Sequence, residues 1–397
     1  MKQITTLIFL MIWNGVWGQT PLLDATKKLI EEKKYETAFN KLQEADPKND
    51  DPDILVEKTD LVLRYFVSSI MHKLFAITDL ESDEDISEIR GSEGSFSMIM
   101  FDPDSLLTRL IAKYPTKYEL RKMRGYYFHE VHMKYGTNCE LSEKEVIDAF
   151  LENYLEAFSN GVYDDWSAYG IGYAYVSSSE YKKSIPFFEK SIELKQDYPS
   201  SHYNLAIAYL YSDMKEKAIS SAKTAMQLYQ EPNLKGDAAR VIAVIYEELQ
   251  NNEKALEYYK KANQIDSKNY YTLKPLLATS LKLNTDNYSD LLNEFFLLAP
   301  TNPTIYQDLI TIYSELNREE ELEKFLKSKQ TGFATDSKIM GNLHFFRGVV
   351  LLDLKLTEES NSEFKNARRE FAKIFESTHD VFKTIDSYLN HESGESN

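Results

Sequence analysis

The sequence predicts an all-α protein in which helix pairs stack one on the next as a solenoid. The chain resembles itself at a spacing of 34 residues, and such a period is the signature of repeat architectures. Within each repeat, apolar residues lie three or four positions apart on both sides of a short polar turn, which is typical of two amphipathic helices. Only 14 Gly and 11 Pro in 397 residues argue against collagen-like or low-complexity sequence.

The self-similarity is clearest between residues 166 and 267. Positions of one repeat return after 34 residues and again after 37, and the three extra residues fall in the turn "QEPNLKG". Small residues recur at Gly172, Ala206 and Ala243, where they let the two helices of a pair approach closely. Large rings recur in step and are expected to fill the core between neighbouring pairs. These core positions are Tyr175, Tyr209, Tyr246 and Tyr313.

This pattern resembles the tetratricopeptide repeat, in which a large residue, Leu-Gly, Tyr, Ala, an aromatic residue, Ala and Pro follow in order. The resemblance continues outward at lower quality. Downstream, "LHFFRGVVLLDLKL" keeps the register but has Arg347 where the family prefers Leu. Upstream, Gly125 follows Pro115 at the family's spacing. Tyr35, Ala38, Leu42 and Ala45 look like part of a first repeat that begins directly after the N-terminal apolar run. The resemblance implies about eight repeats that form a right-handed α-solenoid of tetratricopeptide-type helix pairs.

The N-terminus, "MKQITTLIFLMIWNGVWGQT", predicts an export signal over residues 1–18. Lys2 precedes an apolar run, and the small residues Val16 and Gly18 precede the expected cleavage point. The run is shorter than the roughly 20 apolar residues that span a bilayer, so a retained anchor is the weaker alternative. We therefore expect a periplasmic or secreted protein with no integral membrane span after cleavage. The single cysteine, Cys139, excludes an intramolecular disulfide.

The mature chain is predicted to have three parts. Residues 19–160 form divergent helical repeats, residues 161–388 form the tetratricopeptide array, and residues 389–397 are a disordered tail. Within the divergent part, "DILVEKTDLVLRYFVSSIMHKLFAITDL" predicts one long apolar helix, which an acidic loop over 81–95 follows. In the array, Pro275 predicts a helix that starts late or kinks.

Several kinds of chemistry are disfavoured by the sequence. The net charge of −17 repels nucleic acid and anionic lipid headgroups. The acids around 79–85 lack the Gly and Glu of a calcium-binding loop, so a solvated loop is the favoured interpretation. His129 and His132 are three residues apart, whereas the zinc-protease pattern needs four. Because phosphate loops and nucleophile elbows are also missing, we expect no metal, no cofactor and no catalytic activity.

In the tetratricopeptide family the first helix of each pair lines the concave face. Four tyrosines in two neighbouring pairs predict an aromatic groove there, suited to a protein or peptide segment. The alternative is that these rings pack against neighbouring pairs. Carried over residue by residue, the face comprises Tyr169, Tyr173, Tyr203, Ile207, Tyr211, Arg240, Val244, Glu247, Gln307 and Thr311.

Some family members grip a C-terminal carboxylate with Asn and cationic residues from consecutive first helices. Asn204 matches the central Asn, but no Lys or Arg occupies the flanking positions, so a structural role is expected for Asn204. The sequence thus predicts an exported, non-catalytic scaffold or adaptor that binds a protein or peptide partner on the concave face. An accessory subunit that positions substrate for an envelope or secreted enzyme complex is the alternative.

Overall fold

The structure is a computed structural model that describes residues 21–91, 96–135 and 140–390. The predicted signal peptide, Cys139 and residues 391–397 therefore lie outside the described residues. The chain divides into two compact units, residues 1–221 and 222–397. Both units consist of helices packed in consecutive pairs, which confirms the predicted all-α fold of helix pairs.

The first unit begins with helix α1, over residues 21–31. It continues with α2 (Tyr35–Ala45), α3 (Pro52–Tyr65), α4 (Ile86–Ile89), α5 (Pro103–Lys113), α6 (Tyr118–Tyr135), α7 (Glu143–Ser159), α8 (Asp165–Ser177), α9 (Tyr181–Leu194) and α10 (Pro199–Leu210). Helix α11 (Lys215–Leu228) contains the boundary between the units. The second unit continues with α12 (Pro232–Glu248), α13 (Asn252–Ile265), α14 (Tyr270–Lys282), α15 (Tyr288–Leu298), α16 (Pro303–Glu315), α17 (Glu319–Gly332), α18 (Ser337–Asp353), α19 (Thr357–Phe371) and α20 (Asp380–Asn390).

Within the described residues these helices make nine pairs, followed by α20, where the sequence predicts about eight. The additional pair lies in the N-terminal part. There α3 and α5 form the second pair, although 37 residues, 66–102, separate them. Helix α20 includes residues 389 and 390, the first two residues of the predicted tail.

One turn geometry recurs between the two helices of a pair. In seven pairs a residue with left-handed backbone follows the end of the first helix, and the next amide donates to a carbonyl five residues earlier. In the α8–α9 turn, for example, Ser179 has φ 59° and the Glu180 N–H donates to the Tyr175 carbonyl at 2.8 Å. This bond satisfies a carbonyl that the helix end would leave unpaired. The seven left-handed residues are Lys33, Ser179, Asp213, Gln250, Asn284, Asn317 and Lys355.

The prediction of one long helix over residues 53–80 is wrong. Helix α3 ends at Tyr65, and an antiparallel sheet follows, made of β1 (Ser68–Ile70), β2 (Leu74–Ala76) and β3 (Ile99–Met100) in that order. The Arg90 guanidinium donates to the carbonyls of Arg64 and Phe66, so it satisfies acceptors at the end of α3. The chain reverses at Met71 and His72, both with φ 52°, and local apolar content alone could not signal this turn.

The insertion 66–102 also contains the predicted acidic loop, 81–95. Its first part is fixed to the α1–α2 turn, because the Lys33 ammonium donates to the carbonyls of Ser82 and Glu84 at 2.9 and 2.6 Å. The short helix α4 then begins after Asp85, whose carboxylate accepts from the Ser87 N–H. Residues 92–95 of the predicted loop lie outside the described residues.

In the α8–α9 and α18–α19 pairs, a first-helix glycine lies in close contact with a second-helix ring. A methyl group placed on Gly172 would lie 2.7 Å from the Phe188 ring, and one on Gly348 would lie 2.9 Å from the Phe364 ring. Both rings are buried. The absence of a Cβ therefore lets the second helix insert a large ring against the first.

The predicted core tyrosines are largely buried. Tyr209 and Tyr246 are buried, Tyr313 has no exposed surface, and Tyr175 is half-buried.

Pro275 does not delay the start of a helix, as one of the two predictions for it had expected. Helix α14 begins at Tyr270, after the N-cap Asn269, and contains the proline.

Arg347, on α18, joins three helices of the second unit. Its guanidinium pairs with Glu323 on α17 at 2.6 Å and with Glu363 on α19 at 2.8 Å. Glu363 is buried and also lies 2.6 Å from His344. Burial raises the pKa of Glu363, but the hydrogen bond and charge of His344 and the charge of Arg347 outweigh it, so the pKa lies below its usual value.

We expect Gly170→Ala to lower the free energy of unfolding by about 1–2 kcal/mol. The added methyl would lie 2.7 Å from the Tyr154 ring and 2.9 Å from His129 Nδ1, and neither ring has room to move. Gly332→Ala, where nothing lies within 4 Å of the added methyl, is the matched control and should be neutral or slightly stabilising. Urea unfolding followed by circular dichroism measures both, and equal effects would contradict the close packing at Gly170.

We expect Arg347→Leu to destabilise the second unit by about 3 kcal/mol, because it leaves the Glu323 carboxylate without its cation and removes one partner of the buried Glu363. Exposed Arg369 on the same pair provides the control, and Arg369→Leu should change stability by less than about 0.5 kcal/mol. Thermal melting of both variants decides the matter. A stabilised Arg347→Leu variant would show that the network is dispensable.

Candidate functional site

A groove lies on the face that the first helices of the first unit form. Helices α3, α6, α8 and α10 contact one another in succession along this face. The groove has a volume of about 370 Å³ and is named the Trp166 groove here. It is lined by Arg64, Tyr126, Glu130, Asp164, Asp165, Trp166 and Lys195.

A smaller pocket of about 80 Å³ adjoins the Trp166 groove and shares Arg64, Tyr126, Asp164 and Trp166 with it. We call it the Tyr154 pocket. Its other lining residues are Asp60, Lys122, Met123 and Tyr154.

The start of α8 positions Trp166 in the groove. Asp164 is the N-cap, and its carboxylate accepts from the Ser167 N–H at 2.8 Å while the Ser167 hydroxyl accepts from the Asp164 N–H. This reciprocal capping box fixes the first turn of the helix, which includes Trp166. The Lys122 ammonium, from α6, donates to the same Asp164 carboxylate at 2.8 Å and links the two first helices.

Charges around the groove are largely compensated. Arg64 pairs with Asp60 at 2.7 Å and lies 5.6 Å from the centre of the Tyr126 ring. Burial raises the pKa of the Asp164 carboxyl, but the hydrogen bond and charge of Lys122 and the hydrogen bonds of Ser167 lower it below its usual value. Asp164 is therefore ionised at neutral pH, as its ion pair requires.

The wall behind Trp166 is a stack of rings centred on His129. This imidazole is fully buried, with the Trp166 ring 4.7 Å away on α8 and the Phe150 ring 4.9 Å away on α7. Neither of its nitrogens has a hydrogen-bond partner in the described part of the chain. Burial lowers the pKa of His129 to about 3, so the ring is neutral at pH 7.

Two hydrogen-bond donors at the groove also lack partners among the described residues. They are the hydroxyl of Tyr154, whose side chain is 1 % exposed, and the indole N–H of Trp166. The Tyr154 ring reaches the pocket from the second helix α7 by passing between Gly125 on α6 and Gly170 on α8, where added methyls would lie 2.5 and 2.7 Å from it. A buried donor without an acceptor is costly in free energy. These two groups therefore mark the Tyr154 pocket as a site for a hydrogen-bond acceptor of a ligand.

The predicted site residues of α8 lie close to the groove but are less accessible than the sequence implies. Tyr169 is only 6 % exposed, its ring centre lies 5.5 Å from that of Trp166, and its hydroxyl accepts from Asn204 Nδ2 at 3.3 Å. Tyr173 is half-buried, and its hydroxyl lies 3.0 Å from His132 Nε2. These two rings therefore support the groove from behind, which agrees with the packing alternative.

The predicted site residues of α10 separate. Tyr203 and Ile207 are half-buried within the helix. Tyr211 is the C-cap residue, 62 % exposed, and stacks on the Tyr181 ring at 4.6 Å. It belongs to a shallow patch with residues 179–183 and does not line the Trp166 groove.

The remaining predicted site residues belong to the second unit. Arg240 pairs with Asp237 on its own helix at 2.9 Å. The Glu247 carboxylate accepts from the Tyr259 hydroxyl at 2.6 Å and from the Thr279 hydroxyl at 2.9 Å, so it ties α12 to α13 and α14. Val244 is half-buried, while Gln307 and Thr311 are exposed.

Sequence reasoning missed the residues that form the mouth of the groove. Trp166 lies one helical turn before Tyr169, so the spacing along α8 could have found it. The register set by Gly125 could likewise have found Tyr126. Arg64 could not be placed, because α3 was hidden in the apparent long helix, and Lys195 lies after the end of α9, where repeat spacing gives no signal.

Among the residues that the structure describes, no group of three or more His, Cys, Asp or Glu side chains is placed to hold a metal ion. His129 and His132 instead pack within the ring cluster. None of the described helices combines the length and the apolar character needed to cross a membrane.

Replacing His129 by Phe should make stability less sensitive to acid. Above pH 6.5 the imidazole is neutral in both the folded and the unfolded chain, whereas between pH 6.5 and 3 the unfolded chain alone takes up the proton. The free energy of unfolding of the wild type therefore falls as the pH is lowered. His129 alone accounts for a loss of about 2 kcal/mol between pH 7 and pH 5. His72, whose pKa burial also lowers to about 3, retains its own share in the variant.

Urea unfolding midpoints at pH 7 and pH 5 measure this difference. Val131→Ala, a change at a buried position on the same helix, is the control and should lower stability equally at both pH values. A His129→Phe variant with the full wild-type loss between pH 7 and pH 5 would contradict a neutral His129 in the folded protein.

Comparison with known proteins identifies the repeats. The sequence profile of the tetratricopeptide repeat matches residues 167–198, which contain most of α8 and all of α9, and residues 241–269, which contain the end of α12 and α13. No curated protein matches the chain. The matching solved structures include YrrB, described as a TPR protein with an unusual peptide-binding site. It is 15 % identical and covers 59 % of this chain and 96 % of its own, with a TM-score of 0.42.

MamA from Desulfovibrio magneticus RS-1, from residue 41 to its end, also matches. It is 14 % identical and covers 50 % of this chain and 95 % of its own, with a TM-score of 0.36. A second MamA, labelled AMB-1, is 23 % identical and covers 41 % of this chain and 86 % of its own, with a TM-score of 0.34. The chain thus contains tetratricopeptide repeats, matched at 167–198 and 241–269.

Proposed function

We propose that this chain is an exported, non-catalytic scaffold that binds a protein or peptide partner in the Trp166 groove. The observation that carries the proposal is the half-buried aromatic edge that Tyr126 and Trp166 form on the first helices, with cations and carboxylates beside it. Repeats of this kind bury their core between successive pairs and leave one long face for a partner.

The residues of the Trp166 groove are those that dominate binding energy in protein interfaces. Trp, Tyr and Arg are enriched among interface hot spots, because they combine large contact area with polar ends. Trp166, Tyr126 and Arg64 supply all three types within one groove. The buried rings of His129 and Phe150 keep Trp166 in place before a partner arrives, which limits the entropy lost on binding.

The proposal retains the aromatic groove that the sequence predicts but moves its centre. The predicted set runs from Tyr169 to Thr311, whereas the Trp166 groove spans α3, α6 and the start of α8. Export is supported by the N-terminal apolar run and its small-residue end. N-terminal sequencing of the secreted or periplasmic protein would support export if the chain begins at Gln19, and an intact Met1 would contradict cleavage.

A double variant with Tyr126→Ala and Lys195→Glu should lose partner capture by residues 19–397 at least about tenfold, because it removes a contact ring and reverses a charge at the mouth of the groove. Capture from envelope and secreted extracts, with quantitative mass spectrometry, gives the measurement.

The matched control is Tyr181→Ala with Lys183→Glu, an equivalent pair of changes in the patch around Tyr211. This control should capture as the wild type does. Equal losses in both doubly substituted proteins, or a loss confined to the control, would contradict the Trp166 groove as the binding site. Circular dichroism of both proteins confirms that their helices are intact.

A further inference from the structure

We infer that the Tyr154 pocket recognises the carboxamide side chain of an Asn or Gln residue in an extended peptide partner. This inference rests on the proposed function, because it names the chemistry of a partner bound in the Trp166 groove. Three properties of the pocket support it: two donors without acceptors, compensated charge and small size.

The first property is that the Tyr154 hydroxyl has no packing role of its own. Phe188 occupies the corresponding position in the next pair, against Gly172, and fills it without a hydroxyl. In the second unit, Tyr259 uses its hydroxyl to donate to Glu247 at 2.6 Å. Tyr154 alone of these three carries a buried hydroxyl with no partner among the described residues. Because leaving such a donor unpaired is costly, an acceptor from outside the chain is the simplest reason for it.

The second property is the charge around the pocket. Its two cations are already paired, Arg64 with Asp60 at 2.7 Å and Lys122 with Asp164 at 2.8 Å. A carboxylate ligand would have to compete with Asp60 and Asp164 for these cations. A neutral acceptor can instead take hydrogen bonds from the Tyr154 O–H and the Trp166 N–H without disturbing either ion pair.

A carboxamide meets both needs at once. Its oxygen accepts from the two unpaired donors, and its NH2 group donates to an oxygen of Asp60 or Asp164, each of which has further lone pairs. The pocket volume of about 80 Å³ leaves room for the end of one side chain. The adjoining Trp166 groove, at about 370 Å³, takes the neighbouring residues of the same extended segment.

An array of extended hexapeptides tests the inference. One central position is fixed as each of the twenty amino acids in turn, the other positions are equimolar mixtures, and residues 19–397 are the labelled probe. We expect Asn- and Gln-fixed sets to bind about tenfold more strongly than Leu- and Ala-fixed sets, because two donors gain acceptors. Tyr154→Phe should reduce this ratio to near one while binding of the Leu and Ala sets stays the same.

Trp166→Phe is a second variant that keeps the ring stack with His129 and should also lower the ratio. Tyr259→Phe removes a hydroxyl at the corresponding position of the second unit and is the control, with the wild-type ratio expected. Thermal melting shows whether each variant is folded.

The possible failures are distinguishable. Preference for Asp or Glu over Asn and Gln, or an amide preference that Tyr154→Phe leaves intact, would overturn the carboxamide assignment. Binding of all sets without preference would overturn it as well, while the proposed scaffold function would stand. If the wild type bound no peptide set in the array, both the assignment and the peptide-binding function of the groove would be overturned.

Discussion

The close approach of a first-helix glycine to a second-helix ring is the contact on which the rest of the structure depends. At Gly172 and Gly348 this contact inserts Phe188 and Phe364 into the core of a pair. At Tyr154 the same contact is doubled, since Gly125 and Gly170 lie on both sides of the ring. The doubled contact carries a polar group from a second helix through to the first-helix face. The close packing of Tyr154 and the position of its hydroxyl in the pocket thus both depend on the missing Cβ atoms of Gly125 and Gly170.

The groove is polar at its mouth and apolar behind it. A neutral, fully buried His129 stacks between Phe150 and Trp166, so the wall behaves as a set of hydrophobic rings at neutral pH. The ion pairs of Asp60 and Asp164 keep the charged groups at the rim in fixed positions. This combination favours an uncharged segment with large contact area over a strongly charged partner.

Periodicity predicted the pairs well, because the spacing of small and large residues is fixed by the packing that it produces. It predicted the burial of Tyr209 and Tyr313 for the same reason. It could not detect the insertion 66–102, since the apolar strands there continue the composition of α3, and only the pairing of β1 with β2 distinguishes them from helix. Nor could it show that Tyr169 is buried while Trp166 lines the groove, because both lie on one face of α8 and the contacts of α6 and α7 decide between them.

Hydrogen–deuterium exchange of residues 19–397, with and without the captured partner, tests the central claim most directly. The partner should slow exchange in α3, α6 and the first turns of α8, the helices that supply Arg64, Tyr126 and Trp166. Slowed exchange confined to the second unit, or to the turn that holds Tyr181 and Tyr211, would contradict binding in the Trp166 groove.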